Sequence, residues 1–243
     1  MRMLSFAIKN TKELLRDPIN IAFTLGFPLV LLFMLSAMQA NIPVEMFEIH
    51  HLAPGIAVFG LSFLSLFSAT LISKDRNSSL LQRLYTTPLT ASDFILGYTL
   101  PLIPMAVVQC AICYIVSIPL GLEISVDIVY ATISIIPVTI LFIAIGLLCG
   151  SVLNDKQVGG VCGALLTNLS AWLSGIWFDV SLLGNGFETF CNMLPFIHAV
   201  EMERAILSEC FEGMFPHIWW VLGYAIVTLL IAIHLFMRQM KRQ

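Results

Sequence analysis

In the stretch KDRNSSLLQRLYTTPLTASDFILGYTLP, Lys74–Pro101, a charged break separates two apolar runs. Leu80, Leu81, Leu84 and Tyr85 recur at helical spacing inside the break. Asn77 or Ser78 can cap the start of that helix, and Pro88 forces its end. Thr90-x-x-Asp93 is a second helix-start signal, directly before the next apolar run. The spacing predicts a helix of about two to three turns across the mouth of two membrane crossings, with Arg76 and Arg83 exposed. A helix this short is not stable alone, so lipid or a partner must hold it.

Outward from this break, six uncharged stretches divide the chain: Pro18–Val44, Leu52–Ser73, Phe94–Leu122, Ile128–Asn154, Gln157–Phe178 and Gly213–Met237. Each exceeds the roughly 20 residues a helix needs to cross a hydrocarbon core. Strict alternation, the mark of barrel strands, is missing, and a lipid-exposed backbone must satisfy its own polar groups. The expected fold is all-α: a single transmembrane domain over 1–243 with six crossings. A hydrophobic fraction of 58%, with 11% charged residues and a mean hydropathy of +0.93, rules out an ordinary soluble domain.

Charge sets the orientation. With the N-terminus inside, Arg2, Lys9, Lys12, Arg16, Lys74, Arg76, Arg83, Lys156, Arg238, Lys241 and Arg242 share the cytoplasmic side, and Arg204 alone lies outside. Retention of basic residues on one side is what orients a polytopic protein. Ten of the fifteen acids fall outside, so the pI of 5.9 averages two opposed faces and carries no indication of nucleic-acid binding.

Two further segments fall outside the crossings. Residues 1–17 read as an interfacial amphipathic helix, with Leu4, Ala7, Ile8, Thr11, Leu14 and Leu15 on one face and Arg2, Lys9, Lys12 and Arg16 on the other. Asp17-Pro18 ends it. The connection 179–217 is too apolar for a loop. Phe187, Phe190, Cys191 and Leu194 form one stripe, Pro195 interrupts, and Phe196, Ile197, Val200 and Ile206 continue. Two short helices around the proline, dipping partway into the outer leaflet, suit this pattern; a surface helix capping the bundle is the alternative. Glu201 and Arg204, three apart, would pair on one helix face.

Weaker patterns carry less. Cys110-x-x-Cys113 reads as core packing rather than a redox motif, and Cys191 and Cys210 are the cysteines open to oxidation. Gly146-x-x-x-Gly150 and Gly159-x-x-x-Gly163 suit close helix packing, within one subunit before a dimer seam. Pro28, Pro104, Pro119 and Pro137 mark no assignable hinge. No charged residue sits mid-span, which counts against an ion- or proton-driven carrier. Gln109, Asn168 and His234 are the polar exceptions, expected to bond internally. His50-His51, His198-x-x-Glu201 and His217 lack a distinctive metal spacing. No hydrolase motif is visible.

The order of these parts resembles the ABC type-2 export permeases. The carrying residues are Lys74, Asp75, Arg76, Leu80, Leu81, Leu84, Thr87, Pro88, Leu89, Leu96, Gly97 and Pro101, with Leu173-Ser174-Gly175, Leu194-Pro195 and Arg204 farther on. The chain departs from the family in having Asp75 and then Asn77-Ser78-Ser79 where many members carry Glu-x-x-x-Gly. The resemblance implies a half-transporter that pairs with a second permease, as a homodimer or heterodimer, in the inner (cytoplasmic) membrane with both termini cytoplasmic. It implies that a separate cassette ATPase docks beneath the 74–93 coupling loop, against Arg76, Leu80, Leu81, Arg83, Leu84, Tyr85 and Pro88, and beneath the interfacial helix. The chain has no Gly-x-x-x-x-Gly-Lys-Ser/Thr phosphate loop, so ATP and magnesium would bind the partner subunit. No catalytic, cofactor or metal residue is expected here. The implied cargo is amphipathic: a drug, a peptide or a lipid-like molecule. An ATP-independent transporter or channel, or a non-transporting scaffold, is the alternative function.

Overall fold

A computed structural model describes residues 2–41, 47–78 and 90–240. Among these, every regular element is helical. Helix α1 is Arg2–Leu15. Helix α2 runs over Pro18–Asn41, with a π-helical turn at Ala22–Gly26. That wide turn lies just before Pro28, whose missing N–H removes a ladder bond. Helix α3 is Ile49–Asn77, α4 is Ala91–Thr99, α5 is Leu102–Ser117 and α6 is Asp127–Val152. The helical run 155–173, α7, joins Asp155–Val158, a π-helical Gly159–Leu166 and Thr167–Leu173. Helices α8 (Asn185–Asn192), α9 (Pro195–Leu207) and α10 (Phe211–Met240) complete the chain.

The hub is α3. Its apolar window is 89% buried inside the protein, against 22% for both α2 and α10. Helix α6 crosses α3 where glycines allow it. A Cβ at Gly146 would overlap the Ser65 carbonyl, and one at Gly150 the Ala69 carbonyl. This glycine pair therefore packs within the subunit, as the sequence suggests. Gly159 and Gly160 on α7 face open space. Gly60 on α3 meets the Gln109 amide of α5, whose Nε2 donates to the Ala57 carbonyl at 3.3 Å. Helix α10 lies along α6, and α9 is wedged against α10, α3 and α6.

Among the described residues, five helices are long and apolar enough to cross a membrane: Pro18–Asn41, Ile49–Arg76, Asp93–Leu120, Asp127–Val152 and Phe211–Arg238. The fifth uncharged stretch of the sequence, now α7, is not among them. Its first turn is Asp155, Lys156 and Gln157; its middle is glycine-rich; Thr167, Asn168 and Ser170 follow. The third crossing is broken at Leu100–Pro101, and Thr90 caps its start in a capping box with Asp93, as Thr90-x-x-Asp93 predicts. All six cysteines are free, and Cys110 and Cys113 are buried in the core. Asn168 bonds its own helix, at the Ala164 carbonyl, whereas His234 is exposed rather than bonded inside the bundle.

Candidate functional site

The α1 end of the bundle is built around one carboxylate. Asp75, in the last turns of α3, is buried to 4% exposure. Lys9 of α1 donates to its Oδ1 at 2.9 Å and its Oδ2 at 3.1 Å. The Tyr98 hydroxyl of α4 donates to Oδ2 at 2.9 Å. Lys9 also pairs with Glu13 one turn on, at 2.8 Å. Burial works against the Lys9 ammonium, but hydrogen bonds to Glu13 and Asp75 outweigh it and hold its pKa above the ordinary lysine value. Three helices thus meet at a single charged group.

Apolar packing reinforces the junction. Phe6 stands edge-on to Phe94 (5.6 Å) and Tyr98 (5.0 Å), pairs worth about 0.5–1.5 kcal/mol each beyond area burial. Gly97 leaves room for the Phe6 ring, where a Cβ would overlap it. Beside it the buried Asn10 donates to the Gly97 carbonyl at 2.9 Å.

Helix α1 consequently has three faces, where the sequence suggests two. Phe6, Ala7, Asn10 and Leu14 are buried against protein. Leu4, Ile8 and Leu15 are 56%, 48% and 68% exposed and share a second face, about a third of a turn away. Lys12 and Arg16 occupy the third and are exposed. Lys9 stands at the border of the third and first faces, which is why it reaches Asp75 instead of remaining free. Ser5, Lys12, Glu13, Arg16 and Asp17 rim an open basin of about 670 Å³ along the charged face. Arg2 begins the helix; its side chain lies outside the described residues.

Arg76 corrects another expectation. The sequence puts it exposed beside the coupling helix; here it belongs to α3 and is half-buried. Its Nη1 donates to the Gly150 carbonyl at 3.2 Å and to the Ser151 carbonyl, and its Nη2 to the Leu153 carbonyl at 2.7 Å. A guanidinium satisfying the open carbonyls at a helix C-terminus is favoured both by its five donors and by the helix dipole. Asn77 is the last residue of α3 and Ser78 follows it in extended backbone; the helix that one of them is expected to cap lies outside the described residues. Leu80, Leu81, Arg83, Leu84, Tyr85 and Pro88 lie outside the described residues.

The opposite end holds a second polar centre. Pro195 opens α9 at its first helical position, so the two helices predicted around it are α8 and α9. Arg204 donates to Glu201 at 2.8 Å, to the His51 carbonyl of α3 at 3.2 Å and to the Gly175 carbonyl at 3.2 Å. Gly175, with φ +69°, turns the chain out of α7, a conformation that favours glycine.

The six uncharged runs hold no charged residue, but one acid from the connection outside them is enclosed among their helices. Glu203 of α9 is fully buried. The Tyr114 hydroxyl of α5 donates to its Oε2 at 2.9 Å. Its Oε1 stands 2.8 Å from the Ser134 hydroxyl, itself 2.9 Å from the Ala131 carbonyl. Ser134 is about two turns into α6, so Glu203 sits roughly 10 Å inside the helix end. The sequence signal was there: Ala199, Val200, Glu203 and Ile206 share one helical stripe.

The geometry is therefore a helical membrane body with a charged junction of three helices at its α1 end. A family model, that of the ABC-2 type transporter, matches residues 3–208. The chain belongs to this family. It is a membrane permease subunit, and the match runs from within α1 to just past α9, taking in both polar centres. No curated protein matches it. Among the described residues, no group of three or more His, Cys, Asp or Glu could hold a metal ion in this permease.

Proposed function

We propose that this permease is the membrane half of an ATP-binding-cassette exporter. It would use ATP hydrolysed by a separate cassette subunit and move an amphipathic drug, peptide or lipid-like cargo outward. One observation carries the reading: Asp75 ties α1 to both helices that flank the 78–90 connection. A push on α1 or on that connection reaches α3 and α4 together, which is what an engine below the membrane needs. The basin along Lys12 and Arg16 is a concave, basic landing place for it, and Leu80, Leu81, Arg83, Leu84, Tyr85 and Pro88 would supply the other contact.

In this reading the α1 end is cytoplasmic, in the inner membrane, and Leu4, Ile8 and Leu15 rest in the lipid interface. Helix α7 is the sixth crossing. Too polar to stand alone in lipid, it crosses beside α3 and against a second permease, homodimeric or heterodimeric. Helices α8 and α9 fill the outer leaflet end, with Glu201 and Arg204 as their surface pair.

The test is co-purification with a cassette ATPase, followed by export from cells. Leu84→Asp and Arg83→Glu should abolish ATPase binding and export. Intact export in both variants overturns the proposal. Glu203 supports a second reading, an ATP-independent carrier, because a buried carboxyl is what proton coupling requires. Cargo uptake by proteoliposomes holding this chain alone, lost in Glu203→Gln, would favour that reading instead.

A further inference from the structure

At the far end, four rings clasp the α8–α9 corner to α10. His198 Nε2 lies 2.9 Å from the Asn192 carbonyl, and its Nδ1 lies 2.8 Å from His217 Nδ1. His198 stacks on Trp220 at 5.0 Å and 14°, and Trp220 stacks in turn on Tyr224. The Tyr224 hydroxyl donates to the Met193 carbonyl at 2.6 Å.

The bond pattern fixes the protons. A carbonyl only accepts, so His198 Nε2 carries a hydrogen and donates to Asn192. A neutral His198 then has a bare Nδ1, and the hydrogen between the rings belongs to His217 Nδ1. One added proton settles on His217 Nε2 and leaves every bond intact. Shared across the pair, that single charge lies against the Trp220 face, where a cation is favoured. A second proton has only His198 Nδ1 to occupy, and it would place N–H against N–H across 2.8 Å.

We infer that the His198–His217 pair is a proton-released clasp: it holds the α8–α9 corner to α10 while it carries at most one positive charge, and a second proton opens it. His217 is half-buried and His198 buried, so protons from the adjacent water reach the first ring readily and the second only as the corner loosens. Around the pair stand Glu201, which acts on both rings, and its ion partner Arg204 on α9. Helix α8 contributes Cys191, and α10 contributes Tyr224 and the exposed Glu212; His51 of α3 and Asp127 of α6 lie at the same end. Glu201 favours a proton on either ring, and its carboxylate is already paired with Arg204. That the water is periplasmic rests on the proposed orientation; the clasp itself does not.

The experiment uses the full chain, labelled with ¹⁵N-histidine, in lipid nanodiscs that open both faces to buffer. Two linked imidazoles should titrate in separate steps, the second below the ordinary histidine range of about 6.5. Between pH 7.5 and pH 5, amides of Phe196–Leu207 should exchange about tenfold faster after correction for the intrinsic rate. His217→Gln should remove this response, because the amide can donate to a neutral His198 or turn and accept from a protonated one. Independent titration of all histidines, unchanged exchange on acidification, or an undiminished response in His217→Gln overturns the clasp. Should that variant fail to fold, the wild-type titration decides alone. Binding of a cassette ATPase is a separate readout, so failure of the clasp and failure of the exporter reading are distinguishable.

Discussion

Each end of the permease buries one carboxyl group beneath a tyrosine hydroxyl, at the same 2.9 Å, yet the two are completed differently. Asp75 is finished by a cation from α1, a helix lying outside the bundle. Glu203 is finished by hydroxyls from α5 and α6, two helices of the body. An ion pair with a half-exposed lysine tolerates shifts in length and angle; a hydroxyl chain with one proton per oxygen does not. On the proposed exporter reading, the first end takes the load and the second stays in register. Ser134 sharpens the point. It has one hydrogen for two oxygens, Ala131 and Glu203, so the chain closes when the Glu203 side supplies a hydrogen of its own.

Substitutions can break this contrast. The largest effect is expected from Glu203→Ala, which strands two hydroxyls and opens a cavity. A loss of about 3 kcal/mol in micelle unfolding would follow, whereas Glu203→Gln, whose amide can donate to Ser134, should stay within about 1 kcal/mol. Equal damage from both would show that charge is needed there. The reverse order is expected at Asp75. Asp75→Asn keeps the Tyr98 bond but takes from Lys9 its buried counter-ion and leaves it only the half-exposed Glu13, at a cost of about 2 kcal/mol once the partial exposure of Lys9 is discounted. Adding Lys9→Met should recover part of that loss, and a double-mutant cycle showing no coupling would refute the pairing. Gly97→Ala forces the Phe6 ring aside; about 1 kcal/mol, with faster proteolysis of α1 and an unaltered far end, is the expected result.

The smallest effect is a slope with pH. Burial lowers the His198 pKa, against the Asn192 bond and the Glu201 charge, which raise it. A base held below its unfolded value contributes stability above about pH 6.5 that is lost as the pH falls. Unfolding midpoints should therefore decline below pH 6.5 in the wild type and flatten in His198→Gln.

Much of this was legible in the chain because the signals are local. Thr90-x-x-Asp93 needs only its own turn to form a capping box, Pro195 needs only its ring to start α9, and Glu201 finds Arg204 three residues away. Five of the six apolar runs are legible for the same reason. What escaped depends on neighbours from elsewhere in the sequence. The stripe Leu4–Ile8–Leu15 is correctly apolar, but only the presence of α4 explains why Phe6 and Asn10 are the buried pair. Arg76 reads as a free surface cation until the end of α6 is brought beside it. Glu203 lies in a connection rather than a run, and Tyr114 and Ser134 give it span depth. The α7 stretch satisfies length while its opening charges and mid-run polar groups lower its apolarity.

Arg76 has a mechanical result of its own. Its guanidinium bolts the final turn of α3 to the exit of α6 through three carbonyls, so lengthwise slip between these two rods would shear several bonds at once. On the proposed reading, force arriving at Ser78 would thereby be delivered to the two rods as one.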